Sequence, residues 1–318
     1  MVSRLKKIVV SEHVSKEAAH WLAKRCQMIM CRFDEPGFAQ EIADADALVV
    51  HTYTILDRAR LDGALNLKVI GRAGTGLDNI DLEVCRERGI EVVYRPEANT
   101  QAVVEYVFCL LADAVRPRQT LNCAVDQATW NQLRADLVGS RQMDELTLGI
   151  LGLGRIGKKV ARVAGALGMR VLYNDLLDIP ETDRFVAEAV SVETLFSTCD
   201  VVSLHVDGRE SNRNFVRDDL LQRMKKDALL INTSRGFIVD NASLAHVLKK
   251  NQEMLAMLDV HEPEPFGDDY PLLGLPNVRL YPHLASRTAF AMREMSWVVR
   301  DVMAVLEGGT PENSARQS

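Results

Sequence analysis

Short apolar runs rich in β-branched residues alternate along this chain with stretches in which apolar positions recur at helical spacing. In the first third, residues 7–11, 27–31, 47–51, 68–72 and 91–94 read as strands. Residues 15–24 and 81–88 read as helices between them, the second closed by Gly89 as its C-cap. Parallel strands need helical crossovers, so this rhythm predicts an open α/β domain with helices on both faces. From Asn99 to about Arg116 a long amphipathic segment carries Val103, Val107, Leu110, Leu111 and Ala114 on one face, with Asn99 or Thr100 available as its cap. It reads as the bridge into a second domain.

The second domain repeats the pattern, with strands expected at 148–151, 170–173, 201–205, 228–232, 255–260 and 278–281. Residues 288–306 are helical by pattern, and the sequence alone does not say which domain they join. Between the first two of these strands lies the most informative stretch. The strand ends at Gly152-x-Gly154-x-x-Gly157, a helical pattern closed by Gly168 follows, and Asp175 stands just past the next strand. Each part has a mechanical job in a dinucleotide site. Gly152 permits a tight turn, Gly154 lets backbone approach a pyrophosphate, and Gly157 lets the helix pack closely on the strand. The helix N-terminus offers unpaired N–H groups to phosphate. Asp175 accepts hydrogen bonds from ribose hydroxyls and would repel a 2′-phosphate. Its neighbours Asn174, Leu176 and Leu177 supply no cation, so NAD is favoured over NADP.

Composition narrows the class. A chain of 318 residues, 47% of them apolar, can fill two cores. A net charge of -6 with no basic stripe argues against nucleic acid. The cysteines (26, 31, 85, 109, 123, 199) include no C-x-x-C pair, so neither a metal site nor a disulfide framework is expected. No signal peptide is evident, and no apolar stretch approaches the roughly 20 residues that span a bilayer. The expectation is a soluble, cytoplasmic protein.

Ligands of open α/β sheets bind beyond the carboxyl ends of the strands. Three polar residues stand there in the second domain: Arg235 in I-N-T-S-R-G, Glu264 in L-D-V-H-E-P-E-P and His283 in L-Y-P-H-L-A-S. Their types suit redox work at a carbinol carbon. A histidine takes the hydroxyl proton, a carboxylate orients the imidazole, and a guanidinium grips a substrate carboxylate. Spacing alone assigns none of them. Arg235 also reads as a structural partner of Asp240, Glu264 as a solvated loop acid and His283 as a packing histidine. In the first domain G-R-A-G-T-G-L-D-N-I-D, residues 71–81, reads either as an anion nest or as a tight turn.

Together with L-G-I-L-G-L-G-R-I-G, L-L-I-N-T-S-R-G-F-I-V-D, L-D-V-H-E-P-E-P and P-H-L-A-S, that segment resembles the D-isomer-specific 2-hydroxyacid dehydrogenases, which include phosphoglycerate and glyoxylate/hydroxypyruvate members. The resemblance runs from about residue 45 to about 306. It implies two doubly wound parallel-sheet domains around a cleft. One is a flavodoxin-like substrate domain (1–100 plus 287–318), the other a Rossmann NAD domain (101–286). It implies that His283 is the acid/base, Glu264 its partner and Arg235 the anchor for substrate. Arg72, Ala73 and Gly74 would also face substrate, and Tyr53, by its loop position, would lie at the substrate mouth. Thr75, Arg155, Ile156, Thr233 and Asp259 would touch NAD beside the three glycines and Asp175. The implied partner is a small 2-keto or 2-hydroxy acid, and the implied assembly a homodimer.

Three positions depart from the family pattern. His51 stands where phosphoglycerate-type members carry an arginine for phosphate, although Arg72 is nearby in sequence. Asp207 replaces a proline in the loop after His205. Residues 140–146 lack the glycine-rich lead into the first cofactor strand. Formate dehydrogenases of this fold carry glutamine in place of Glu264, which argues against that chemistry. The contrasting function is an NAD-binding corepressor or sensor that docks partners without turnover.

Overall fold

The strands pair in parallel, and they do so in two separate sheets. The computed structural model describes residues 4–315. It divides into one unit formed by the chain up to Thr100 with the segment from Ser286 on, and a second formed by Gln101–Ala285.

In the first unit β1 (Lys7–Val10), β2 (Gln27–Met30), β3 (Ala47–Val50), β4 (Val69–Arg72) and β5 (Glu91–Tyr94) lie in the order β2-β1-β3-β4-β5. This is the flavodoxin-like order. Helices α1 (Lys16–Ala23), α2 (Phe38–Ala43), α3 (Arg58–Gly63) and α4 (Leu82–Glu87) make the crossovers. Ser15, Asp57 and Asp81 cap α1, α3 and α4 by accepting a backbone N–H in the first turn. Alternation inside the strands divides the core. Val9, Leu48, Val50, Ile70 and Val92 face one layer, while Ile8, Val10, Val49, Val69 and Val93 face the other.

The second unit opens with α5 (Thr100–Val115), followed by α6 (Gln127–Asp136), a helix with no buried residue. Its sheet contains β6 (Thr147–Leu151), β7 (Arg170–Asn174), β8 (Ala187–Ala189), β9 (Val201–Leu204), β10 (Leu229–Asn232), β11 (Leu255–Leu258) and β12 (Val278–Leu280). The order β12-β11-β10-β9-β6-β7-β8 reverses direction between β6 and β9, the switch point where doubly wound sheets bind ligands. α7 (Arg155–Ala166) follows β6 and packs on the same face as α5. The opposite face is covered by α9 (Val192–Thr198), α10 (Asp218–Leu221) and α11 (Asn241–Lys250), and α8 (Glu181–Arg184) is a single turn before β8.

The C-terminal helical pattern joins the first unit. It is two helices rather than one, α12 (Ala289–Ser296) and α13 (Val298–Leu306). At the break the Ser296 hydroxyl donates to Met292 O and accepts the N–H of Ser15, a side-chain bond that competes with the helical ladder. α13 lies against β4 so closely that a Cβ at Gly71 would sit 2.4 Å from Val302 Cγ2.

Asp200, at the start of β9, anchors the second sheet. Its carboxylate accepts from the N–H of Thr147 and from Arg141 and Lys225, and its backbone bonds Thr147 O and Leu229 N. Burial alone would push this carboxyl up, but those donors outweigh burial and hold it down at about 2. The ionised form therefore stabilises the fold above the ordinary carboxylate value near 4, and this contribution disappears as pH falls toward 2. Asp200→Asn is expected to cost on the order of 2 kcal/mol at neutral pH, read from urea unfolding. The gap to the parent should narrow below about pH 4.

Candidate active site and cofactor turn

The glycine turn is built as its spacing requires. Gly152 follows β6 with φ of +94°, and a Cβ there would lie 2.8 Å from the carbonyl carbon of His205 and the nitrogen of Val206. A side chain is thus opposed by both dihedral and space. A Cβ at Gly157 would meet Gly152 O at 2.2 Å, so the first turn of α7 rests directly on the strand end. Nothing lies within 4 Å of a Cβ built on Gly154, which is exposed and caps α7. The Asp175 carboxylate closes the turn, accepting the N–H of Leu153 at 2.6 Å and that of Leu177 at 2.9 Å. Beyond it Leu176 and Leu177 are 78% and 71% exposed, an apolar surface beside an acid.

Three other residues that the resemblance puts at the cofactor belong to the same unit. Arg155 is exposed at the start of α7, and Ile156 packs partly into the core. Thr233, just past β10, has a buried Oγ1 with no hydrogen-bond partner among the described residues. An unsatisfied buried hydroxyl costs about 1–3 kcal/mol, so a ligand that bonded it would recover that cost. The open space at Gly154 and this hydroxyl fit a dinucleotide.

Glu264 and His283 are brought together, with Glu264 Oε2 2.8 Å from His283 Nδ1. Glu264 Oε1 accepts the N–H of His261 at 2.8 Å. Burial would raise the Glu264 carboxyl, but His283 and the His261 N–H together hold it below its ordinary value. An ionised Glu264 makes Nδ1 the donor and leaves Nε2 for a ligand. His283 itself has φ of 54°, a left-handed conformation unusual for a side chain of its size. It is held there by Asp259, whose carbonyl accepts the His283 N–H and whose carboxylate accepts from Leu284 and Ala285. Asp259, which the resemblance puts at NAD, is fully buried and bonded to the turn that carries His283.

Arg235 follows β10, its Nη1 donating to Ser234 O and its carbonyl accepting from Asn232 Nδ2. The next residue, Gly236, lies against the backbone of His261, where a Cβ would be 2.0 Å from the carbonyl carbon. The Arg235 and Glu264 loops are therefore in contact. Asp240 caps α11, and Glu262 is exposed.

Of the two readings open at 71–81, anion nest or tight turn, the backbone bonds at its start are those of a tight turn. The N–H of Ala73 continues the ladder to Val50 O, and the N–H of Gly74 folds onto Arg72 O. Holding a carboxylate with these two amides requires that those bonds open. Arg72 is buried, its Nη1 donating to Ala73 O, with the guanidinium against Gly74. One guanidinium nitrogen thereby bonds its own loop. Thr75 Oγ1 bonds Asn99 at 2.7 Å, and Tyr53 is 47% exposed on the loop after β3.

Residues 108–285 match the family model "D-isomer specific 2-hydroxyacid dehydrogenase, NAD binding domain". The chain belongs to this family. It is 33% identical to a hydroxypyruvate reductase of Thermotoga maritima over 91% of this chain and 94% of that one. It is 31% identical to a D-3-phosphoglycerate dehydrogenase of Archaeoglobus fulgidus over 97% of this chain, and spans 59% of that longer relative. A D-lactate dehydrogenase of Aquifex aeolicus, solved with NAD and lactic acid, superposes with a TM-score of 0.82 at 25% identity, covering 95% of this chain and 96% of that one. An NADPH-dependent glyoxylate/hydroxypyruvate reductase of Sinorhizobium meliloti, solved with NADP and malonate, gives 0.83 at 25% identity, covering 98% and 96%. Relatives with either cofactor thus share this 2-hydroxyacid dehydrogenase fold.

One residue of this family member escapes motif reading. The Glu12 carboxylate accepts from the successive N–H groups of His51, Thr52, Tyr53 and Thr54, and from the Thr54 hydroxyl. The loop is an anion nest filled by the chain's own acid. Lone acids after a strand carry no motif; the only signal was the hydroxyl-rich H-T-Y-T opposite it. Glu12→Ala is expected to lower stability by about 2 kcal/mol in urea unfolding, since the amides lose a charged acceptor. Glu12→Gln should recover only part, because its NH₂ opposes the same donors; full recovery would show that charge is unimportant there.

Proposed function

We propose that the chain is an NAD-dependent oxidoreductase that interconverts a small 2-keto acid and its D-2-hydroxy acid. The 2.8 Å bond between Glu264 and His283, in the unit that carries the glycine turn, is the observation that supports this most. A bound nicotinamide supplies or accepts the hydride at C2. For reduction His283 Nε2 donates a proton to the carbonyl oxygen as C2 becomes tetrahedral, and for oxidation it takes that proton back. Glu264 holds the ring by Nδ1, so Nε2 is oriented for the transfer without reorganisation. Arg235 pairs with the substrate carboxylate and polarises the carbonyl. The assignments of Arg72, Ala73, Gly74 and Thr75 to ligand contacts rest on the family resemblance alone, and that of Tyr53 on its loop position alone.

Asp175 sets the preference for NAD, since its carboxylate stands at the ribose position and repels a 2′-phosphate. Assembly as a homodimer is supported by α6, which buries no residue of its own and leaves Trp130 exposed, with Leu121 and Val138 exposed on either side of it. Residence in the cytoplasm is supported by six free cysteines. No helix among the described residues is long and apolar enough to cross a membrane.

The direct test is NADH oxidation against glyoxylate, hydroxypyruvate, phosphohydroxypyruvate, pyruvate and bulkier keto acids. Turnover of a non-phosphorylated acid is expected, because His51 replaces the phosphate-binding arginine. NADH binding without turnover of any member would favour a sensor or docking role. His283→Ala should lower kcat by roughly 10²–10⁴-fold while NADH affinity persists. Loss of NADH binding instead would mark a structural histidine. Asp175→Ala should raise NADPH use relative to NADH, and an unchanged ratio would remove Asp175 from the ribose site.

A further inference from the structure

The loop after β9 lies against the glycine turn, yet the family pattern does not explain its charges. The His205–Val206 peptide touches Gly152, and the Ser234 hydroxyl pins the loop by donating to Val206 O. Three residues on, Arg209 is clamped to Asp207: Nε reaches Oδ1 at 2.7 Å, Nη2 pairs with Oδ2, and the Arg209 N–H reaches Oδ1 at 3.2 Å. Asn212 Nδ2 secures Asp207 from the other side, at its carbonyl and its Oδ1. The guanidinium is thus held in place while its side chain remains about half exposed.

Its surroundings give that placement a meaning. Asp207 acts on the guanidinium most strongly, and Asp175 also acts on it by charge, both favouring the cation. Asp175 is the acid tied to the glycine turn through Leu153. The peptide that leads into Asp207 touches Gly152, and Asp175 bonds the next residue, Leu153, so the fixed cation and the acid proposed to read the ribose are both attached to the same turn. A 2′-phosphate arriving there meets repulsion from Asp175 and attraction from Arg209.

We propose that Arg209, positioned by Asp207, is a specificity-determining residue of the cofactor site that supplies positive charge to a 2′-phosphate and so narrows the preference for NAD over NADP. The proposal rests on the cofactor reading above. It requires no new pocket, only that the adenosine ribose end lie where Asp175 marks it.

Binding is measured on the full chain by the fluorescence change of NADH and of NADPH, independently of turnover. In Arg209→Gln the ratio of NADPH to NADH dissociation constants should rise roughly three- to tenfold, as expected for loss of one partly exposed charge contact. Asp207→Asn keeps the Oδ1 acceptor for Asn212 but removes the opposing charge, so it should lower the ratio. A ratio unmoved in Arg209→Gln, with NADH binding intact, overturns the role of Arg209. Absence of NADH binding by the parent protein overturns the cofactor reading as well.

Discussion

Asp259 is fully buried, and burial pushes its carboxyl up to about 6. A carboxylate in that position must be satisfied, and two amides do it, those of Leu284 and Ala285. Its own N–H extends the β10–β11 pairing to Asn232 O, while its carbonyl takes the His283 N–H. The turn after β12 is therefore wrapped around one side chain at the end of β11. His283 adopts a left-handed φ inside this wrap, at a cost of order 1–3 kcal/mol. Charge-assisted bonds from two amides are large enough to offset it. The imidazole reaches Glu264 because the backbone beneath it has no alternative.

The same device recurs where strands end. Asp175 gathers the amides of Leu153 and Leu177, Glu264 that of His261, and Glu12 four amides in the other unit. Loops at strand ends leave N–H groups without ladder partners, and short carboxylates answer them locally. The consequence for chemistry is rigidity without bulk. In the cofactor turn it leaves the space at Gly154 open, and at Glu264 it leaves the second carboxylate oxygen for His283.

Sequence pattern revealed most of this fold because buried parallel strands are short apolar runs, and nearly every run became a strand. β8 escaped because an edge strand with one buried residue in three has no apolar run to show. The split between α12 and α13 escaped because it depends on Ser296 meeting Ser15, a contact distant in sequence. The glycine turn was legible because steric demand leaves only glycine. For Arg72, residue type announces a cation, but only packing shows that it is buried against Gly74. Glu12 was invisible for the converse reason, since a single acid acquires meaning only when a loop folds around it.

The replacement of proline by Asp207 shows how the two kinds of information combine. Proline stiffens a loop by fixing φ and removing a donor. Asp207 leaves that dihedral free, and the chain restrains the loop by other means. The Asp207 carboxylate takes the Arg209 N–H and guanidinium, Asn212 bonds Asp207, and Ser234 bonds Val206. These bonds form one hydrogen-bonded cluster. Unlike a ring, the cluster carries charge, so stiffness and electrostatics at the cofactor turn become linked in the same residues. A change that loosens the loop then also changes the charges beside the glycine turn, so on the cofactor reading proposed above substitutions that touch neither phosphate nor ribose alter cofactor choice.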